Sequence, residues 1–151
     1  MTKIAVKFGL IFFAALLVYF LLMRSLDLSD NFDFRVFNGL FQSVIIYLAL
    51  RTYSRKFPQD WNYLTGVITG VLTSLVGALP FAIFQILHLN INVSFMNHLK
   101  ENVPYIGQYL NPFYASLIVL VEGMAVGMVL SYICMRIVDA MMKKSNIQKE
   151  G

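Results

Sequence analysis

The sequence predicts an all-α integral membrane protein: a four-transmembrane-helix bundle forming a single membrane domain over residues 1–151. Three observations carry this. Of the 151 residues, 58% are apolar and only 13% are charged, whereas a soluble domain carries about 25% charged residues. So few charges cannot cover a water-soluble globule this small. Four runs approach the length of about 20 mostly apolar residues that crosses a hydrocarbon core of about 30 Å. Finally, the basic residues sit at the ends of those runs, where they orient helices.

The first run covers residues 4–23 and is interrupted only by Lys7, close enough to the end for its charge to snorkel outward. It starts basic like a signal peptide, but its core is long and no small-x-small site precedes Arg24, so an uncleaved signal anchor is expected. The second run, residues 34–53, is the least apolar, because Asn38 and Gln42 interrupt it. Pro58 in the short basic link 51–62 stops this run. Spans two and three are therefore expected to be antiparallel neighbours.

The third run, residues 63–87, contains Pro80, which deletes a backbone hydrogen bond and predicts a kink or an irregular outer end. In the outer loop 88–112, Phe95, Met96, Leu99 and Val103 fall on one helical face, Ser94 stands where a cap belongs and Pro104 where a stop belongs. This pattern predicts a short interfacial helix over about 94–103, lying on the outer leaflet. Tyr105 and Tyr109 suit the interfacial belt. The fourth run, residues 113–137, contains Glu122, and the polar tail 143–151 is expected to be frayed.

Orientation follows from the lysines and arginines. One side holds nine (Lys3, Lys7, Arg51, Arg55, Lys56, Arg136, Lys143, Lys144 and Lys149) and the other holds three (Arg24, Arg35 and Lys100). The asymmetry predicts both termini in the cytoplasm and, for a bacterial protein, residence in the inner membrane. The net charge of +4 is thus spread over helix ends rather than gathered in a patch, so no nucleic-acid partner is expected. The single cysteine, Cys134, supports neither a disulfide framework nor an all-cysteine metal site.

Helix association in lipid depends on close backbone approach and interhelical hydrogen bonds. Gly66, Gly70, Ser74 and Ala78 recur every four residues on span three, with Thr65, Thr69, Thr73 and Gly77 beside them. Gly123, Gly127 and Ser131 repeat the spacing on span four. These faces are expected to pack the two spans together within one bundle; alternatively they dock a partner helix or a second copy.

Glu122 lies nine residues beyond Phe113, about 13 Å along a helix and near the bilayer midplane. A charged carboxylate there costs several kcal/mol, so the side chain is expected to face the bundle interior, either neutral or paired. Gln42 reaches a similar depth, and Asn38 shares its helix face at a spacing of four. Thr73 approaches the same level from the other side. A polar cluster of Glu122, Gln42, Asn38 and Thr73 is therefore expected, with Gln42 as first partner. Such a cluster either holds helix register or forms a proton- or cation-sensitive site.

Catalysis finds little support. His88 and His98 are ten residues apart, without the tight spacing of a metal site, and are expected to be solvated loop residues. No nucleophile elbow, phosphate-binding loop or dinucleotide turn is present. No enzyme activity, cofactor or metal is expected.

Lys7-Phe8-Gly9-Leu10-Ile11, Asn38-Gly39-Leu40, the run Tyr63-Leu64-Thr65-Gly66-Val67-Ile68-Thr69-Gly70, and Glu122-Gly123 with Gly127 together resemble a domain-of-unknown-function family of small four-span inner-membrane proteins common in Bacteroidota. The resemblance covers nearly the whole chain and rests on glycine positions and span lengths. It implies fold and location and transfers no site residues. Two roles follow: a non-catalytic accessory or assembly subunit docking other membrane helices, which is favoured, or a small oligomeric transporter or channel-like protein acting at Glu122. The expected partners are the lipid bilayer and either another membrane protein or copies of the same chain.

Overall fold

The computed structural model describes residues 1–26, 35–102 and 107–150. These form α1 (Thr2–Ser25), α2 (Arg35–Lys56), α3 (Tyr63–Ile91), α4 (Val93–Asn102), a 3-10 turn (Gly107–Tyr109) and α5 (Pro112–Glu150), with no strand among the described residues. Three helices are long and apolar enough to cross a membrane: α1, α3 and the Pro112–Lys144 part of α5. The expected second span, α2, has the length but not the apolarity, because Asn38, Gln42, Ser43, Arg51, Arg55 and Lys56 fall within it.

Local chemistry sets the helix ends. At the start of α3, Asn62 Oδ1 accepts from the Thr65 backbone N–H at 2.9 Å, and Thr65 Oγ1 accepts from the Asn62 N–H at 3.0 Å. This reciprocal capping box satisfies two orphan donors. At the start of α5, Asn111 Oδ1 accepts from the Tyr114 N–H at 2.8 Å, and Pro112 occupies the first helical position, where its missing N–H costs nothing.

Several expectations need correcting. α3 continues through Pro80 as one helix to Ile91, so His88 is helical rather than part of a loop. α4 begins at Val93, which puts Ser94 inside the helix instead of at its cap. Its apolar face turns onto the bundle: buried Met96, with Phe95 and Leu99, packs against Leu89, Leu110 and Ala115. Val103, Pro104 and Tyr105 lie outside the described residues, and Tyr109 is exposed. The tail expected to fray is helical to Glu150, and no glycine or proline falls between Met128 and Glu150 to break it.

α3 is the central helix, packed most extensively against α5 and then α1. Its two small-residue ridges face different neighbours. A methyl group on Gly66 would stand 2.6 Å from Met135 Cγ, and one on Gly70 would stand 2.7 Å from Ser131 Cβ, so this ridge lies against α5. Gly123 continues the contact, a methyl there meeting Ala78 Cβ at 3.5 Å. The second ridge lies against α1: Gly77 abuts Phe12, and Gly9 abuts Val76 and the Thr73 carbonyl. Both ridges are therefore consumed inside the chain.

Polarity is distributed inside out. Thr69, Thr73, Ser74, Ser116 and Ser131 are buried, while large aliphatic side chains such as Leu10, Val18, Leu40, Ile83, Ile118 and Val129 are exposed. Each buried hydroxyl donates one turn back along its own helix, as in Thr69 to Thr65 O at 2.7 Å and Thr73 to Thr69 O at 2.8 Å. No donor is stranded, and the ridges stay smooth enough for close backbone approach.

Candidate functional site

The polar centre of the molecule is Gln42, on the α2 face turned toward the bundle and only 3% exposed. Its Nε2 donates to Ser74 Oγ at 3.1 Å and to the Gly123 carbonyl at 2.9 Å, joining α2 to both α3 and α5. Ser74 accepts because its own hydrogen is given to Gly70 O at 3.2 Å. The bridge depends on glycine: a methyl on Gly127 would stand 2.7 Å from Gln42 Nε2 and 2.6 Å from Ser74 Cβ. In this way the small-residue stripe of α5 makes room for the amide.

One turn before Gln42 on the same face is Asn38, whose Oδ1 is buried and has no hydrogen-bond partner among the described residues. Both amides line a cavity of about 380 Å³ between α1, α2, α3 and α5. Phe12, Leu16, Ala78, Phe81 and Val119 form its apolar walls, and Gly39, Gly123 and Glu122 complete the lining with Val36 and Val126. Glu122 is exposed, as are Val36 and Val126, so these three residues mark where the cavity opens between α2 and α5.

The structure thus brings Glu122, Gln42 and Asn38 to one cavity. Glu122 stands at its rim rather than in the bundle interior. Gln42 turns its amide N–H groups to Ser74 and to the backbone beside Glu122. Thr73 is not in the lining; it is buried and donates back to Thr69, and Ser74 is the α3 residue that meets Gln42. Of the packing residues, Gly66, Gly70, Ser74, Gly127 and Ser131 are buried between α3 and α5 with Ala78, and Gly123 is half-buried beside them.

Sequence reasoning missed two features. Gly39 entered only as part of the Asn38-Gly39-Leu40 resemblance and was given no place in a site, although among the described glycines it is the one at which an added Cβ would meet nothing within 4 Å. The second is a joint at the outer end. Arg24 of α1 donates to His88 Nε2, and its Nη2 donates to Asn92 Oδ1 at 2.8 Å. Its guanidinium also lies 5.9 Å from the centre of the Phe95 ring. His88 is half-buried between Phe20 and Phe84, with ring centres 5.1 and 5.7 Å away, and is not the solvated loop residue expected.

Apolar helices with their hydroxyls and amides turned inward define a helical protein of the membrane class. The chain belongs to a family of proteins of unknown function, DUF4199, whose model matches residues 7–111. The match ends one residue before α5 begins. No curated protein and no solved structure matches the chain.

Proposed function

We propose that the chain is a four-span protein of the bacterial inner membrane with both termini in the cytoplasm, acting as a small transporter-like protein with a proton- or cation-sensitive site at Glu122. The fourth span in this reading is α2. Between Val36 and Leu48 its exposed residues (Val36, Phe37, Leu40, Val44 and Leu48) are all apolar, and Gln42 is buried. A helix with this inverted polarity is suited to lipid despite its weak overall apolarity. α4 then lies at the outer membrane interface, over the ends of α3 and α5.

The observation that carries the role is the cavity. A carboxylate stands at its rim, two amides line it, and its walls are apolar. An intramembrane acidic residue in such a setting is a functional-site hypothesis by default. No enzyme activity is proposed, because no nucleophile, base and electrophile converge there. The test is proton flux into proteoliposomes carrying a trapped pH-sensitive dye, under an imposed potential. Flux with the wild type and its loss in Glu122→Gln, which keeps shape and most hydrogen bonding, is the expected result. Flux that is absent from the wild type, or undiminished in the variant, would sink the proposal.

A second reading, the accessory subunit, draws support from α5, of whose most apolar window only 17% is buried, against 44% for α3. Its outward residues, among them Leu117, Val121, Met128 and Val129, are uncovered by this chain. The small-residue ridges no longer help this reading, since both pack internally. Native mass spectrometry from a mild detergent separates the two. A stoichiometric companion favours the accessory role, and a homo-oligomer favours transport.

A further inference from the structure

The polar lining of the cavity is biased in what it offers. Gln42 has committed its amide N–H groups to Ser74 and Gly123, so its remaining capacity is as an acceptor. Asn38 Oδ1 is a buried acceptor without a partner among the described residues. Such a group is costly to leave unmet away from water, and a guest that donates to it relieves the cost. The volume of about 380 Å³ falls within the range of small-molecule sites and exceeds the roughly 150 Å³ that holds a benzene.

Gly39 adds an independent observation. It sits inside α2, where glycine weakens a helix relative to alanine, and no close neighbour requires it. Its missing side chain leaves open space in the cavity lining next to Asn38.

We propose that the cavity binds a membrane-dissolved amphiphile, placing a hydrogen-bond-donating head against Asn38 Oδ1 and an apolar body against Phe12, Leu16 and Phe81. The guest enters from lipid between α2 and α5, past Val36 and Val126, and Gly39 leaves room for it. This rests on reading the cavity as a ligand site, but not on the titration of Glu122. The head is a hydroxyl or an ammonium, two sources of the same donor chemistry.

Three near-isosteric probes test this: 1-naphthylmethanol, 1-(aminomethyl)naphthalene and 1-ethylnaphthalene. The full chain in lipid nanodiscs is titrated while the ¹⁵N side-chain amide signals of Asn38 and Gln42 are followed, with affinities corrected for partition into lipid. A saturable Asn38 shift is expected with at least one donor probe, at an affinity about fivefold or more above that of 1-ethylnaphthalene. The tighter of the two donors identifies the head. Gly39→Leu should abolish the shift while the thermal midpoint and the remaining spectrum stay native, since the new side chain starts in open space.

Equal affinity for all three probes, no saturable shift with any of them, or undiminished binding in folded Gly39→Leu would overturn the proposal. Probe binding by the wild type together with no proton flux from the wild type, or with flux undiminished in Glu122→Gln, would overturn the transport reading alone. Flux without probe binding would overturn this inference alone.

Discussion

At the scale of single residues, glycine has two opposite uses. At Gly127 the missing side chain is a requirement, because Gln42 and Ser74 occupy the space where a methyl would go. Gly127→Ala is expected to destabilise the bundle by about 1–3 kcal/mol, the usual cost of overpacking. The Gln42 amide signals should shift with it; an alanine variant that unfolds with the wild type would refute the bridge. At Gly39 an alanine meets nothing, so Gly39→Ala is expected to stabilise α2 by about 0.5–1 kcal/mol, read from the unfolding midpoint in detergent. A loss of stability there would mean that the space beside Asn38 is filled. Both residues were visible in the sequence, but which one packs and which one stands open was not. Spacing reports the face a residue shares and says nothing about what lies opposite.

At the scale of elements, helices were legible because periodicity, caps and proline are local signals, whereas their neighbours are set by long-range packing. The length and position of α4 followed from Phe95, Met96 and Leu99 on one face, yet that face covers Leu89 and Leu110 of the bundle. Amphipathicity gives the direction of an apolar face and not its destination. The same gap hid the joint between α1 and α3. Arg24 read as a flanking charge and His88 as a loop residue, although the guanidinium donates to the imidazole and to Asn92. Because an arginine only donates, the contacted His88 nitrogen carries a lone pair. His88→Leu removes this acceptor and is expected to cost about 1 kcal/mol, discounted for partial exposure. Hydrogen exchange should then quicken over Leu21–Leu22–Met23 at the outer end of α1. His88→Gln, which restores an acceptor, should recover much of the protection. Equal exchange in both variants would show that the joint contributes little.

At the scale of the whole molecule, the solvent was the most legible property. A chain so poor in charge and so rich in apolar residues is suited to lipid, and its buried hydroxyls and amides agree with that. What could not be read was which apolar residues face inward. In a water-soluble protein hydrophobicity marks the core, but in lipid both faces of a helix are apolar and the contrast vanishes. Helical rise gives Glu122 an expected depth, whereas its angular position at the rim had no sequence signal, because α5 is apolar around most of its circumference. The orientation proposed from the lysines and arginines is open to direct measurement. In a Cys134→Ser background, a cysteine placed at Lys3 or Lys144 is expected to react with an impermeant maleimide only after the cytoplasmic face is opened. One placed at Tyr109, exposed beside α4, should react in intact spheroplasts. The reverse pattern, or labelling of the two ends from opposite sides, would overturn the topology.

The unbroken run of α5 has a mechanical consequence. From Glu122 at the cavity rim to its end at Glu150 the helix continues for 28 residues, about 42 Å at 1.5 Å per residue. If the helix moves as a rigid rod, a tilt of roughly 5° at the cavity displaces its far tip by about 4 Å. Whatever occupies the space beside Asn38 and Glu122 therefore has a lever arm attached to it. In the proposed orientation that arm reaches into the cytoplasm, where a change inside the bilayer becomes a displacement that a soluble partner could read.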